Sequence, residues 1–261
     1  MGRTTTLFAA AAAFLAAPAA AFAEATPLEV RVISHGAKFV GSSMGGVQVT
    51  LREAATGRLL ATGRTVGGTG DTERIMGPQP RGARLSTEGA AVFATEIDID
   101  RPTRLEATAT GPLAQRQSAE TVSATRWVLP GVGLAGGDGW LLEMPGMAVD
   151  VLAPAAATKM AGPQATTRIE ANVTMMCGCP LAPEGVPWDS DDYRVLAHVI
   201  RDGEPAGTVR LDYAGEASRF AGEIETAAPG LYEVLVSAHA VADGNAGVDS
   251  VTFSIPAPSD G

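Results

Sequence analysis

The sequence predicts an all-β protein built as two β-sandwich domains behind an export leader. Three observations carry that expectation. Apolar and polar residues alternate with period two through most of the chain, as in Val47-Gln48-Val49-Thr50-Leu51; that period sends alternate side chains to opposite faces of a strand. Gly, Pro and Asp turn signals punctuate these runs at short intervals, which suits many short strands. Past the leader, the 3.6-residue period of an amphipathic helix is scarce.

The leader comes first. Arg3 supplies a positive start, Leu7 to Ala17 a short apolar core, and Ala21-Phe22-Ala23 an A-x-A cleavage site, so residues 1–23 read as a secretory signal. Roughly 235 to 240 of the 261 residues then remain, enough for two domains with separate cores. No later apolar run reaches about 18 residues, so no transmembrane anchor is expected after cleavage. No cysteine stands at the cleavage point, which argues against a lipid anchor. The Ala-rich leader and the preference for Arg over Lys point to a bacterial protein, periplasmic or secreted; Lys38 and Lys159 are the two lysines. Net charge is −10, or −11 once Arg3 leaves with the signal. That balance argues against nucleic acid and against anionic membranes. A protein partner in the envelope remains compatible with it.

The strands follow in order. Leu28 to Val40 is the first strand region. Val47 to Leu51 runs through the turn residues Ala55-Thr56-Gly57 into Arg58-Leu59-Leu60, a hairpin. Val66 to Gly82 is Gly-rich and long, and loops of that length are functional or mobile. Ala90 to Ile99, Thr103 to Thr110, Glu120 to Leu129 and Trp140 to Val151 complete a first domain over 27–153. Residues 154–163 are rich in Ala and Pro without alternation, and are expected to be a linker. The second domain, 164–257, starts at Thr167 to Met176. It continues through Tyr193 to Ile200, Thr208 to Tyr213, Arg219 to Ile224, Leu231 to Ala240 and Ser250 to Ile255. Short strands at that spacing fit a small sandwich.

Two resemblances attach to these residues. Gly230-Leu231-Tyr232-Glu233-Val234-Leu235-Val236-Ser237-Ala238 matches the G-x-Y-x-V-x-V-x-A pattern around a tyrosine corner, followed by the turn Asp243 to Asp249. In this the second half resembles an immunoglobulin-like domain of bacterial secreted proteins. Gly46-Val47-Gln48-Val49-Thr50-Leu51, Ala55-Thr56-Gly57-Arg58-Leu59 and Gly89-Ala90-Ala91-Val92-Phe93 resemble a transthyretin-like or carboxypeptidase-regulatory-like domain. Both imply fold, and neither implies a function, because such modules serve adhesion, scaffolding and ligand binding alike.

Chemistry concentrates in Met175-Met176-Cys177-Gly178-Cys179-Pro180, which holds both cysteines. Continued alternation puts Ile169, Ala171, Val173, Met175, Cys177 and Cys179 on one face, and Thr174, Met176 and Gly178 on the other. Gly178 and Pro180 should end the strand and leave the thiols in a loop. Thiolate and thioether donors suit Cu(I), which accepts low coordination. Zinc wants four ligands, and no second Cys pair is present; c-type haem needs C-x-x-C-H, which is absent. The candidate metal site is therefore Cys177, Cys179, Met175 and Met176, with Cu(I) or another soft metal as the expected ion. Two alternatives stay open. A C-x-C disulfide in an exported chain makes a structural or interaction module, and the same pair can act as a thiol–disulfide redox centre.

The remaining candidates are weaker. Met144-Pro145-Gly146-Met147 reads as an exposed loop, and Met160 lies in the expected linker, so these are further soft donors. Met44 and Met76 are scattered. His35, His198 and His239 are far apart in sequence, with His198 and His239 on solvent faces by alternation. Asp189, Asp191 and Asp192, and Asp243, Asn245 and Asp249, read as turn chemistry, since neither group has calcium-loop spacing. No hydrolase, kinase or phosphate-loop signature is present, so a non-enzymatic binding or accessory protein is expected.

Overall fold

A computed structural model of the chain describes residues 24–258. The expected signal at 1–23, with its site Ala21-Phe22-Ala23, lies outside the described residues. The fold is all-β, in two sandwiches.

The first sandwich uses β1 (Glu24–Ser34), β2 (Gln48–Glu53), β3 (Leu59–Arg64), β4 (Phe93–Ile99), β5 (Thr103–Gly111), β6 (Glu120–Val128) and β7 (Trp140–Met144). One sheet has the order β4-β1-β7, the other β3-β2-β5-β6. β1 lies antiparallel to β4 and parallel to β7. The alternation read from the sequence is the reason for the layers. Leu28, Val30 and Val32 of β1 face Val49 and Leu51 of β2 and Leu105, Ala107 and Ala109 of β5 in one buried core, closed by Trp140. The β2–β3 hairpin turns at Gly57, whose φ is +73°. Glu53 fixes that turn by accepting from Thr56 Oγ1 at 2.8 Å and Arg58 Nε at 3.3 Å.

The second sandwich uses β8 (Met147–Ala153), β9 (Thr158–Lys159), β10 (Thr166–Met175), β11 (Tyr193–Arg201), β12 (Glu204–Tyr213), β13 (Arg219–Glu225), β14 (Gly230–Ala240) and β15 (Ala246–Ile255), in the order β8-β10-β13-β12-β11-β14-β15-β9. β12 and β13 pair only at Asp212–Ala221 and Tyr213–Phe220. The ribbon folds over there, and both halves share one core. Tyr232, Val234, Val236 and Ala238 of β14 all point into it. The Tyr232 hydroxyl donates to the Ala228 carbonyl at 2.8 Å, and its ring stacks on Phe253. A buried tyrosine bonded to backbone a few residues upstream is a tyrosine corner, so the second sandwich is immunoglobulin-like.

Several elements differ from expectation. The strand expected over Trp140 to Val151 is two strands, interrupted by Pro145-Gly146, and the chain changes sheets there. β7 pairs with β1, whereas β8 pairs with β10. Met144 and Met147, expected to be exposed, are buried in the two different cores. Strand alternation extended across Gly146 (φ +110°) cannot show this switch, because the change is one of partner and not of period. Residues 154–163, expected to be a linker, contain β9. Ala157 N and Met160 N donate to Thr252 O and Ser254 O of β15; backbone pairing needs no apolar alternation. The Gly-rich stretch 66–82 holds a short helix, α1 (Thr72–Met76), capped by Asp71 through Arg74 N at 2.7 Å. Met76 packs against the second core, so this stretch bridges the sandwiches.

Candidate functional site

β10 ends at Met175 for a local reason. Gly178, at φ +78°, lets the chain reverse, and Gly178 N donates to Met175 O at 2.8 Å. Met175 N then donates to Cys179 O at 3.1 Å, which closes the turn. Cys177 and Cys179 are joined by a disulfide across it, with Cα atoms 5.4 Å apart. Both cysteines are almost fully buried, at 1% and 4% exposure. The chain beyond is tied down as well: Leu181 N donates to Ser218 Oγ at 3.1 Å, and Ser218 N to Leu181 O at 2.7 Å.

The four sulfur side chains separate into two environments. Met175, Cys177 and Cys179 lie in the second core, and Met176, with 0% exposure, lies in the first. This is the alternation expected of an extended strand, carried through the turn. The Tyr193 hydroxyl lies 3.6 Å from Met175 Sδ. On the opposite side, a Cβ on Gly178 would sit 2.8 Å from Met44 Sδ, and one on Gly146 3.1 Å from Met176 Cε. Glycine at both positions lets the thioethers lie against backbone. The turn is therefore a double plug, with Met175, Cys177 and Cys179 in the second core and Met176 in the first.

Other groups close the same joint. Trp188 Nε1 donates to Gly36 O at 3.0 Å, across the two sandwiches. Asn245 makes a reciprocal pair with Gly146: Gly146 N donates to Asn245 Oδ1 at 2.6 Å and Asn245 Nδ2 donates to Gly146 O at 3.0 Å. The edge of β8 is capped by side chains. Val149 N donates to Ser118 Oγ at 3.0 Å, Gln117 Nε2 donates to Val149 O at 2.9 Å, and Val151 N donates to Asp249 Oδ2 at 2.8 Å. These partners blunt an edge that would otherwise offer unpaired main chain.

The rim of the joint is charged. His35 Nδ1 lies 2.5 Å from Glu143 Oε1, and Nε2 lies 3.1 Å from Asp243 Oδ2, so one ring spans both sandwiches. Glu143 first, and Asp243 after it, raise the His35 pKa above its ordinary value, against an opposing contribution from partial burial. The Asn245 backbone N–H, aided by His35, holds the Asp243 carboxyl below its usual range. Glu120 and Ala246 line the shallow pocket beside this pair. Asp150, on β8, is raised by burial and by the nearby Asp249 carboxylate.

Sequence reading reached part of this. It placed Met175, Cys177 and Cys179 on one face and Met176 on the other. It gave His35, Asn245 and Asp249 no role at the joint, and nothing in their local spacing could have supplied one. Asp189 does serve turn chemistry, accepting from Asp191 N at 3.0 Å. His198 and His239 are half-buried on the outward side of their strands, and His198 lies within hydrogen-bond distance of Ser237 Oγ at 2.9 Å. Among the described residues, no group of three or more His, Cys, Asp or Glu side chains is placed to hold a metal ion. Among them, too, no helix is long and apolar enough to cross a membrane.

No protein family and no curated protein matches this chain. Solved structures give distant likenesses. An engineered protein shares 18% identity over 46% of this chain, with TM-score 0.31; the match spans only 22% of that protein. The fibronectin(III)-like modules of CbhA from Clostridium thermocellum share 17% identity, covering 80% of this chain and 78% of theirs, with TM-score 0.28. The titin domains z1z2 in complex with telethonin share 12% identity, covering 91% and 90%, with TM-score 0.23. At these scores the assignment of the fold rests on the strand pairing and the tyrosine corner described above.

Proposed function

We propose that this chain is an exported, non-enzymatic two-module protein that works by presenting rigid β-sandwich surfaces to a partner in the bacterial envelope. One observation carries the reading: the Cys177–Cys179 disulfide closes a turn whose neighbouring methionines plug both cores. A buried crosslink there fixes the turn that carries Met176 into the first core, and two sandwiches joined on several sides move as one body. The first module is read as transthyretin-like, on the hairpin of β2 and β3 at the residues that suggested it. The boundary between the modules is placed at Pro145-Gly146, where the chain changes sheets. Export rests on the leader alone.

A second reading is favoured by one specific feature. Met175, Cys177 and Cys179 share the same buried cluster, so reduction of the pair by an added thiol reductant would leave two thiols and a thioether together, and the thiols would release their protons on binding a metal ion. Those three would hold Cu(I), with Met176 outside the set. The test is copper uptake by wild type and by the Cys177→Ser/Cys179→Ser double variant, with and without reductant. The structural reading expects no uptake by oxidised wild type and a loss of stability in the double variant. Uptake of one Cu(I) by native wild type without reductant, absent from the double variant, would replace it with the metal reading.

A further inference from the structure

The outward face of the sheet β3-β2-β5-β6 is an ordered polar surface that the joint does not use. Strand register places its side chains in rows. Thr62, Thr50, Thr108 and Ser123 form one row across all four strands, and Arg64, Gln48, Thr110 and Thr121 form the next. On the other side, Arg52 stands opposite Glu106 and Glu106 opposite Thr125; beyond them, Arg104 stands opposite Trp127. Strand spacing makes such a row roughly 14 Å long, with the rows about 7 Å apart. The polar groups are held in place: Gln48 Nε2 donates to Thr62 Oγ1 at 2.8 Å, Thr110 and Thr121 share a hydroxyl bond at 2.9 Å, and Arg104 donates to Thr125 Oγ1 at 2.9 Å. Trp127 is 65% exposed at the edge of the array.

We infer that this face docks an acidic polysaccharide. The inference rests on reading the chain as a non-catalytic binding protein, and it names the partner's chemistry. A protein partner would want an apolar centre with a polar rim; this face has hydroxyls at its centre and its one aromatic ring at the edge. β propensity accounts for both threonine and tryptophan on strands; what marks Trp127 is its 65% exposure beside the threonine rows. Sugar rings match the set, with C–H faces to cover an indole and hydroxyls to bond with the threonine rows. Charge decides the kind of sugar. Arg52, Arg64 and Arg104 stand against Glu106 alone, on a chain whose net charge is −10. A carboxylated glycan is attracted to this face and repelled by most of the remaining surface.

The experiment is retention of the full chain on immobilised polygalacturonate and, beside it, on neutral dextran. Wild type should be retained on polygalacturonate, more weakly as salt is raised, and not on dextran. Trp127→Ala should weaken retention about tenfold or more. Thr50→Val with Thr108→Val keeps the β-branched shape while removing hydroxyls, and should also weaken it. Equal retention on both matrices, no retention on polygalacturonate, or unchanged retention by Trp127→Ala would overturn the inference. Failure here leaves the thiol content and stability of the joint untouched, so the two readings fail separately.

Discussion

The two sides of the joint are built from opposite chemistry. On one side the turn from Met175 to Cys179 is apolar, buried and crosslinked, with side chains in both cores. On the other, His35, Glu143 and Asp243 meet at the surface, where side-chain exposures run from 41% to 60%. The buried side depends on shape, so its contribution should be large and insensitive to pH. The exposed side depends on charge, so water and salt screen it, and protonation switches it. The difference teaches which residues hold the modules together and which adjust them.

The largest effect should come from emptying one of the plugs. Met176→Ala should cost about 2–5 kcal/mol, the range for truncating a buried methionine, as read from denaturant midpoints. It should also separate the unfolding of the two sandwiches in calorimetry. A shift like that of a surface substitution would show that the first core does not need Met176.

Removing the crosslink comes next. The Cys177→Ser/Cys179→Ser double variant should lose roughly 2–4 kcal/mol, from the freed turn and from two buried hydroxyls. The loss should be the same at pH 5 and pH 8. A pH-dependent loss would remove the distinction between the two sides.

Asn245→Ala sits between the extremes, because it is polar but neutral. It should cost roughly 1–3 kcal/mol, since the Gly146 amide would lose its partner in a half-buried position. Asn245→Asp is a sharper probe: it keeps the acceptor for Gly146 N and loses the donor to Gly146 O.

The smallest effect should be at His35, and it should be the one that varies with pH. The folded-state pKa of His35 is raised, so its contribution is fully present below about pH 6.5, the unfolded value. It is lost as pH rises through the raised folded value. The Asp243 pKa is lowered, so its contribution is present above about pH 4 and fades as pH falls through the folded value. The rim therefore grips best in mildly acidic solution. Glu120, Glu143, Asp192 and Tyr193 are the other titratable groups close to this pair. His35→Gln should flatten the stability profile above about pH 6.5, where the wild-type contribution is being lost. An unaltered profile would show that the ring does not clamp the modules.

Much of the fold was legible in the sequence because period-two alternation reports burial directly. β10, β11, β13 and β14 lie where Thr167 to Met176, Tyr193 to Ile200, Arg219 to Ile224 and Leu231 to Ala240 suggested. The same alternation correctly set Met176 apart from Met175 and the cysteines. What alternation cannot report is the identity of the neighbouring strand. Trp140 to Val151 reads as one strand, although Gly146 hands the chain from β1 to β10 as partner. Met144 and Met147 looked exposed because Pro145-Gly146 is a turn signal in most settings; here the turn is packed between two cores. The rim was out of reach for a similar reason. His35 and Asp243 lie 208 positions apart, and only the pairing of sheets brings them together.

The central claim is that Cys177 and Cys179 are joined in a disulfide that fixes the turn from which Met176 reaches into the first core. The most direct measurement is the titration of free thiols in protein that has never met a reductant. Native protein should show none, and protein unfolded without reductant should also show none, so that burial is not mistaken for oxidation. Unfolding with reductant should release two. Two thiols released by unfolding alone would mean that the pair is reduced in the native state, and would contradict the account.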